Sequence, residues 1–198
     1  MEYWYLWLIF AVLVIVTAVV IVFASRAVSS HNAETRRMYA EIDRLKKLKD
    51  KYKNLDRDLA LSSEPAELLE GVNAVLQAKI EGAENAEAEF DTFGEEAKNL
   101  YTLKYFLEDS SRALSFFFKN NGAVLTKRAV PSLEAIGYTD ILDTVKRQSE
   151  MYDSDNEDVS LDYKEAENLD NEFRIRFSET EFLNSVKQYI CQCTDRLF

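Results

Sequence analysis

The 198-residue sequence is short of the residues from which most catalytic and metal sites are built. It has one histidine, His31, and two cysteines, Cys191 and Cys193. A single histidine removes His-activated nucleophiles and most zinc schemes. Two cysteines exclude a disulfide scaffold. The spacing Cys191-Gln192-Cys193 is not that of a C-x-x-C motif, and on a helix the two side chains would diverge by about 200°. Ordinary buried or half-buried thiols are expected there. Five glycines and two prolines exclude a collagen-like or low-complexity chain, and there is no Gly-rich phosphate loop. No stretch alternates with period two for long, so strands are not expected. The chain also lacks excess positive charge. With 24 Lys+Arg against 35 Asp+Glu, its net charge of −11 has the wrong sign for direct nucleic-acid binding.

What is present is unevenly spread. Tyr3 to Ala24 is free of charged residues and reads YWYLWLIFAVLVIVTAVVIVFA. As a helix it would span roughly 33 Å, against about 30 Å of bilayer hydrocarbon. Tyr3, Trp4, Tyr5 and Trp7 make an aromatic belt at one end. A cleaved signal peptide would need a basic start and a shorter apolar core; here Glu2 precedes the run. Residues 1–25 are therefore expected to be a single transmembrane anchor. Basic residues follow the span and none precede it, which places the N-terminus outside and the C-terminal part in the cytoplasm. Unpaired thiols suit that compartment.

Residues 26–62 read as a basic juxtamembrane helix. Its basic residues include Arg36, Arg37, Lys46, Lys47 and Lys49. The first reading of the lysines is the solvated face of a helix; the second is attraction to anionic lipid. Met38, Ile42, Leu45, Leu48, Tyr52, Leu55 and Leu59 form an apolar stripe, spaced 3, 4, 3, 4 from Leu45. A short parallel coiled coil, making a homodimer, and a single helix packed on its own domain both fit that spacing.

Ser62-Ser63-Glu64-Pro65 marks a boundary, with Ser63 as a candidate N-cap. Residues 63–198 hold 14 basic and 28 acidic residues, a net of −14, whereas residues 1–62 hold 10 and 7, a net of +3. The acidic part is helical in pattern. Leu68, Leu69, Val72, Val75, Leu76 and Ile80 form one stripe. Phe90, Phe93, Ala97, Leu100, Tyr101, Lys104 and Leu107 form a second, with Lys104 out of character. A short helix holds Phe116–Phe118 and stops near Gly122. Another runs near 123–136, with Pro131 as a break or restart and Gly137 ending it. Ile141, Leu142 and Val145 mark the next. Ser178-Glu179-Thr180-Glu181 is a capping box opening the last, with Phe182, Leu183, Val186, Ile190 and Leu197 on its buried side. The fold class expected is all-α, with a single transmembrane helix, a basic helical stalk and a compact multi-helix cytoplasmic domain.

The segments FFFKNNG (116–122), LEAIG (133–137), ILDTV (141–145) and NLDNEF (168–173) resemble the C-terminal domain family of bacterial DNA-mimic proteins, over about residues 66–198. The resemblance implies an all-helical domain. It also implies family-motif positions, mainly structural, at Phe116, Phe117, Phe118, Asn121, Gly122, Ile136, Gly137, Leu169 and Asp170. The family carries an Asn-Asn-Gly-Gly-Phe-like run ahead of the first segment; here that place reads Ser110-Ser111-Arg112-Ala113-Leu114.

No catalytic residue, metal site or cofactor is expected. The acidic run Asp153–Asp158 fails as a calcium loop, because position six is Asp158 and position twelve Lys164 where Gly and Glu are required. Glu81, Glu84, Glu87, Asp91, Glu95 and Glu96 form the candidate acidic binding surface. Four helical residues rise about 6 Å, within a factor of two of the phosphate spacing along one DNA strand, about 3.4 Å. The function expected is non-enzymatic: a membrane-tethered interaction domain with a protein partner, binding a basic or DNA-binding protein through that surface. Rival readings are a structural scaffold of a membrane assembly and a carboxylate-based hydrolase.

Overall fold

A computed structural model of the chain describes residues 35–152 and 162–198. Every regular element among the described residues is helical. No described helix is long and apolar enough to cross a membrane. The predicted anchor, Tyr3–Ala24, lies outside the described residues, as do His31 and the acidic run 153–158. The chain divides into two compact units, Met1–Lys46 and Lys47–Phe198.

In the first unit, residues 35–46 are helical and carry Arg36, Arg37 and Lys46, all exposed. The Glu41 carboxylate and the Arg44 guanidinium pair at 3.0 Å across one turn.

The second unit opens with helical residues 47–52 (α1), in which Lys47 is exposed and Lys49 half-exposed. It continues through α2 (Arg57–Ser62), α3 (Pro65–Gly82), α4 (Ala86–Thr92), α5 (Glu95–Ser110), α6 (Leu114–Asn120), α7 (Ala123–Thr126), α8 (Ala129–Ala135), α9 (Leu142–Met151), α10 (Tyr163–Arg176) and α11 (Glu179–Cys193), with a final 3₁₀ turn at Thr194–Arg196. Helix α5 is the hub, touching α3, α6, α8 and α11. Its buried row is Ala97, Leu100, Leu103 and Phe106. Among the described residues the core cluster runs from Leu48 to Leu197 and draws on none before Leu48, so this unit has its own core and the makings of an independently folding domain.

The apolar stripe of the predicted stalk therefore divides. Leu48, Tyr52 and Leu55 are buried in the domain, as the single-helix reading requires, and they are not available to a coiled-coil seam. Tyr52 is fully buried and its hydroxyl donates to Ser63 Oγ at 2.8 Å. Ser63 in turn donates to Leu59 O at 2.7 Å. That occupies the side chain expected to cap α3. Glu64 caps instead, accepting from Glu67 N at 3.0 Å, with Pro65 in the first turn where its missing N–H costs nothing.

The second predicted stripe is one helix too many residues long. Phe93 and Gly94 separate α4 from α5. The stripe holds across this interruption at Ala97 and Leu100, but further along α5 Leu103 and Phe106 point inward while Lys104 turns out to Glu108 at 2.6 Å. The predicted helix near 123–136 is two, α7 and α8, and Pro131 marks the restart. It sits in the first turn of α8, where the amide it lacks has no intrahelical acceptor. Gly137 has φ +69°, the left-handed conformation that ends a helix with two reverse bonds. Both are present: Gly137 N to Glu134 O at 3.0 Å, and Tyr138 N to Leu133 O at 3.1 Å. Ser178 does cap α11, but its own amide donates to the Tyr138 hydroxyl at 2.9 Å instead of to Glu181.

Candidate functional site

The six carboxylates of the candidate surface fall on three helices and a link, not on one helix. Glu81 is in the last turn of α3, Glu84 in the link that follows, Glu87 and Asp91 on α4, and Glu95 and Glu96 at the start of α5. The single-helix spacing used to compare them with phosphates does not apply. Part of their placement has a local cause. Acidic side chains favour the positive end of a helix dipole, and Glu87, Glu95 and Glu96 all lie in first turns. Gly94 offers no side chain to cap α5, so the two glutamates supply the compensation there.

The structure separates the six into two groups. Glu95 accepts from Arg128 Nη2 at 2.6 Å and lies 3.8 Å from Lys98 Nζ. The Arg128 hydrogen bond holds its carboxyl below the usual range, the direction opposite to that of a general acid. Glu96 pairs with Arg196 at 2.5 Å. Asp91 shares a shallow niche with Lys98, Lys127 and Arg128. Glu81, Glu84 and Glu87 are exposed, form no ion pair among the described residues and, unlike Asp91, share no niche with a cation. Glu81 accepts a hydrogen bond from the neutral Gln77 amide at 2.9 Å. Some acids elsewhere in the domain are paired: Arg147 engages Glu165 at 2.6 Å and Glu172 at 3.2 Å.

The motif positions carry structural work. Phe117, Phe118, Ile136 and Leu169 are buried. Phe116 lies under the Arg112 guanidinium at 4.8 Å. Asn121 ends α6 by donating to Phe117 O at 2.9 Å and to Asp109 Oδ2 at 2.7 Å, and Gly122 follows at the cap of α7. Asp170 has the most specific role. The N-cap of α6 is Ala113, which has no capping side chain. Asp170 reaches over from α10 and accepts from Ser115 N and from Ser115 Oγ, both at 2.7 Å. The first turn of α6 is thus capped in tertiary fashion by a carboxylate distant in sequence.

That contact forms one wall of a groove the sequence did not announce. It has a volume of about 630 Å³ and lies between the end of α5, the turn after it and α10. Leu107, Phe173 and Phe177 give it apolar surface, and Arg112 and Arg174 stand on its rim. Ser110 to Ala113, where this chain departs from the family pattern, meets Asp170 and Asn171 here. The Ser110 hydroxyl is buried without a partner among the described residues. Glu108, Asp170 and Glu179 line it as well, so its carboxylates outnumber its two guanidiniums.

Nothing known matches. No family model, curated protein or solved structure is similar to this chain. The site chemistry therefore rests on the residues themselves. No group of three His, Cys, Asp or Glu side chains among the described residues is placed to hold a metal ion. Cys193 is buried, its Sγ lies 3.1 Å from Tyr189 O, and burial pushes its thiol up to about 11. Cys191 is half-exposed. A raised thiol pKa means the buried neutral form is favoured, so reactivity at pH 8 is suppressed and folding loses stability only as pH rises through that range. Native protein treated with a maleimide at pH 8 is expected to label at Cys191 and not Cys193, and at both after denaturation. Peptide mapping checks this; equal native labelling would contradict the burial.

Proposed function

We propose that this chain is a membrane-tethered, non-enzymatic interaction domain whose acidic ridge receives a basic surface of a protein partner. The observation that carries the reading is the contrast among the acids. Glu95 and Glu96 are neutralised by arginines of the same domain, while Glu81, Glu84 and Glu87 face outward without a cation among the described residues. An unneutralised patch at the junction of α3 and α4 steers a cationic partner over a Debye length, about 8 Å at physiological salt. The 22-residue uncharged run at Tyr3–Ala24 supports the tether. The resemblance to the DNA-mimic family supports a DNA-binding protein as the partner class.

The test is site-specific photo-crosslinking of the full chain in the cell that makes it. A crosslinker at position 88, an exposed alanine of α4 beside Glu87, is expected to capture a basic protein at the membrane. Capture should fall on the order of tenfold when Glu81, Glu84 and Glu87 become Gln, and should weaken as salt rises from about 0.1 to 0.5 M. Loss of capture when duplex DNA is added to the membranes before irradiation selects the mimic version. A salt-insensitive product with an integral membrane protein selects the scaffold reading. A product unaffected by neutralising the three glutamates removes the ridge from the proposal.

A further inference from the structure

We infer that helical residues 35–46 form a docking surface for an anionic lipid leaflet. The inference rests on the membrane-tethered reading and adds to it a second, peripheral contact. Met38, Tyr39, Ile42 and Leu45 are 60 %, 66 %, 40 % and 39 % exposed, an unusual set of large apolar side chains to leave in water on one short helix. At 100° per residue, Leu45, Met38 and Ile42 fall within about 60° of one another and Tyr39 extends the arc to about 120°. Arg36, Arg37 and Arg44 lie on the rest of the circumference. Lys46 falls inside the apolar arc, where its four-carbon stem can lie along the apolar surface and carry the ammonium to a phosphate. Residues 35–46 hold four basic and two acidic side chains, a net of +2 attached to a domain of strongly negative charge.

This is the pattern of an interfacial helix, with an apolar arc seated at the headgroup–acyl boundary and arginines beside it. Two facts favour lipid over a second copy of the chain. The heptad stripe does not continue as a seam, because Leu48, Tyr52 and Leu55 are buried in the domain. What is left is less than two heptads, too short for a stable coiled coil. Chain length supplies the second fact. Only residues 25–34 separate the end of the uncharged run from the start of this helix. Ten residues reach at most about 35 Å. A helix so tied to a span stays within reach of the leaflet at all times, so its partner is present at high effective concentration.

The experiment uses a fragment of residues 35–198, which contains every residue of the core cluster. The chain's two tryptophans, Trp4 and Trp7, are absent from it, so Tyr39→Trp introduces a sole emitter. With vesicles of about 30 % phosphatidylglycerol, the emission is expected to shift to the blue and to be quenched by brominated acyl chains. Partitioning should exceed that on pure phosphatidylcholine by about tenfold or more, and should be lost when Met38, Ile42 and Leu45 become Gln. Replacing Arg36 and Arg37 with Gln should remove the lipid-charge preference. Water-like, unquenched emission on anionic vesicles overturns the inference. A blue shift without bromine quenching also overturns it, by showing that a second copy covers the stripe. The tether is judged separately, by whether the full chain stays with membranes after an alkaline carbonate wash. Its failure leaves the fragment result standing on its own.

Discussion

Replacing Gly71 with Ala is expected to destabilise the domain by about 3 kcal/mol, although the same change in an ordinary helix interior stabilises by about 1. Gly71 is in the middle of α3, and a Cβ there would overlap the Tyr52 ring, with Tyr52 Cγ only 2.7 Å away and other ring atoms nearer. The ring has nowhere to go. It is fully buried, and its hydroxyl is fixed to Ser63 Oγ and lies 3.1 Å from Glu67 Oε1. Lys51 reinforces the arrangement from above, 2.6 Å from Glu67 and 4.9 Å from the Tyr52 ring centroid. Urea unfolding of fragment 35–198 reads the effect, and at this size the melting temperature should fall by roughly 6–12 °C. Combined with Tyr52→Leu, which withdraws the ring edge, the alanine should cost much less than it does alone. A neutral or stabilising Gly71→Ala would mean that Tyr52 does not pack on α3.

Asp170→Ala is expected to cost about 2–3 kcal/mol, more than its half-buried position suggests. The carboxylate makes two short bonds to one residue, Ser115, and hydrogen bonds to a charged acceptor contribute about 1.5–3 kcal/mol. Removing it strands an amide at a helix start that has no other cap. Asp170→Asn keeps an oxygen for the Ser115 amide and should recover about half of the loss. Ser115→Ala, which keeps the amide bond and deletes only the hydroxyl, should cost about 1 kcal/mol. Denaturant midpoints for the three variants check the order. Equal stability of Asp170→Ala and the parent would show that the α6–α10 contact does not cap the helix.

The sequence was most legible where one short stretch decides its own conformation. The stripe of α3 and the buried side of α11 were read at the correct residues, because each helix is long, amphipathic and capped by its own neighbours. Gly137 was legible for the same reason, since only the left-handed turn after α8 calls for it. Reading failed inside α5. Phe90, Phe93, Ala97 and Leu100 are buried as the pattern requires, but after Leu100 a step of four selects Lys104 where the helix buries Leu103, three residues on. Tyr52 was legible as apolar spacing but not as a ring lying against a glycine. The acids were the least legible. Which of them are neutralised depends on Arg128 and Arg196, cations brought from other helices, and nothing in the residues around Glu95 and Glu96 reveals those partners. Asp170 entered only as a position in a resemblance; its task is visible only once α10 is set beside α6.

One side chain ties the beginning of the domain to its end. Lys187, on α11, donates from Nζ to Leu61 O at 2.8 Å and to Ser63 O at 2.6 Å, the carbonyls that α2 leaves open as it stops. The same helix packs on α2 and α3. During synthesis, then, the first helices of the domain emerge with an uncovered face and stay so until nearly the whole chain has left the ribosome. Folding of this domain cannot keep pace with translation from the front. Helix α5 covers part of α3 as it emerges, but the part that packs on α11 stays open until the last helix arrives.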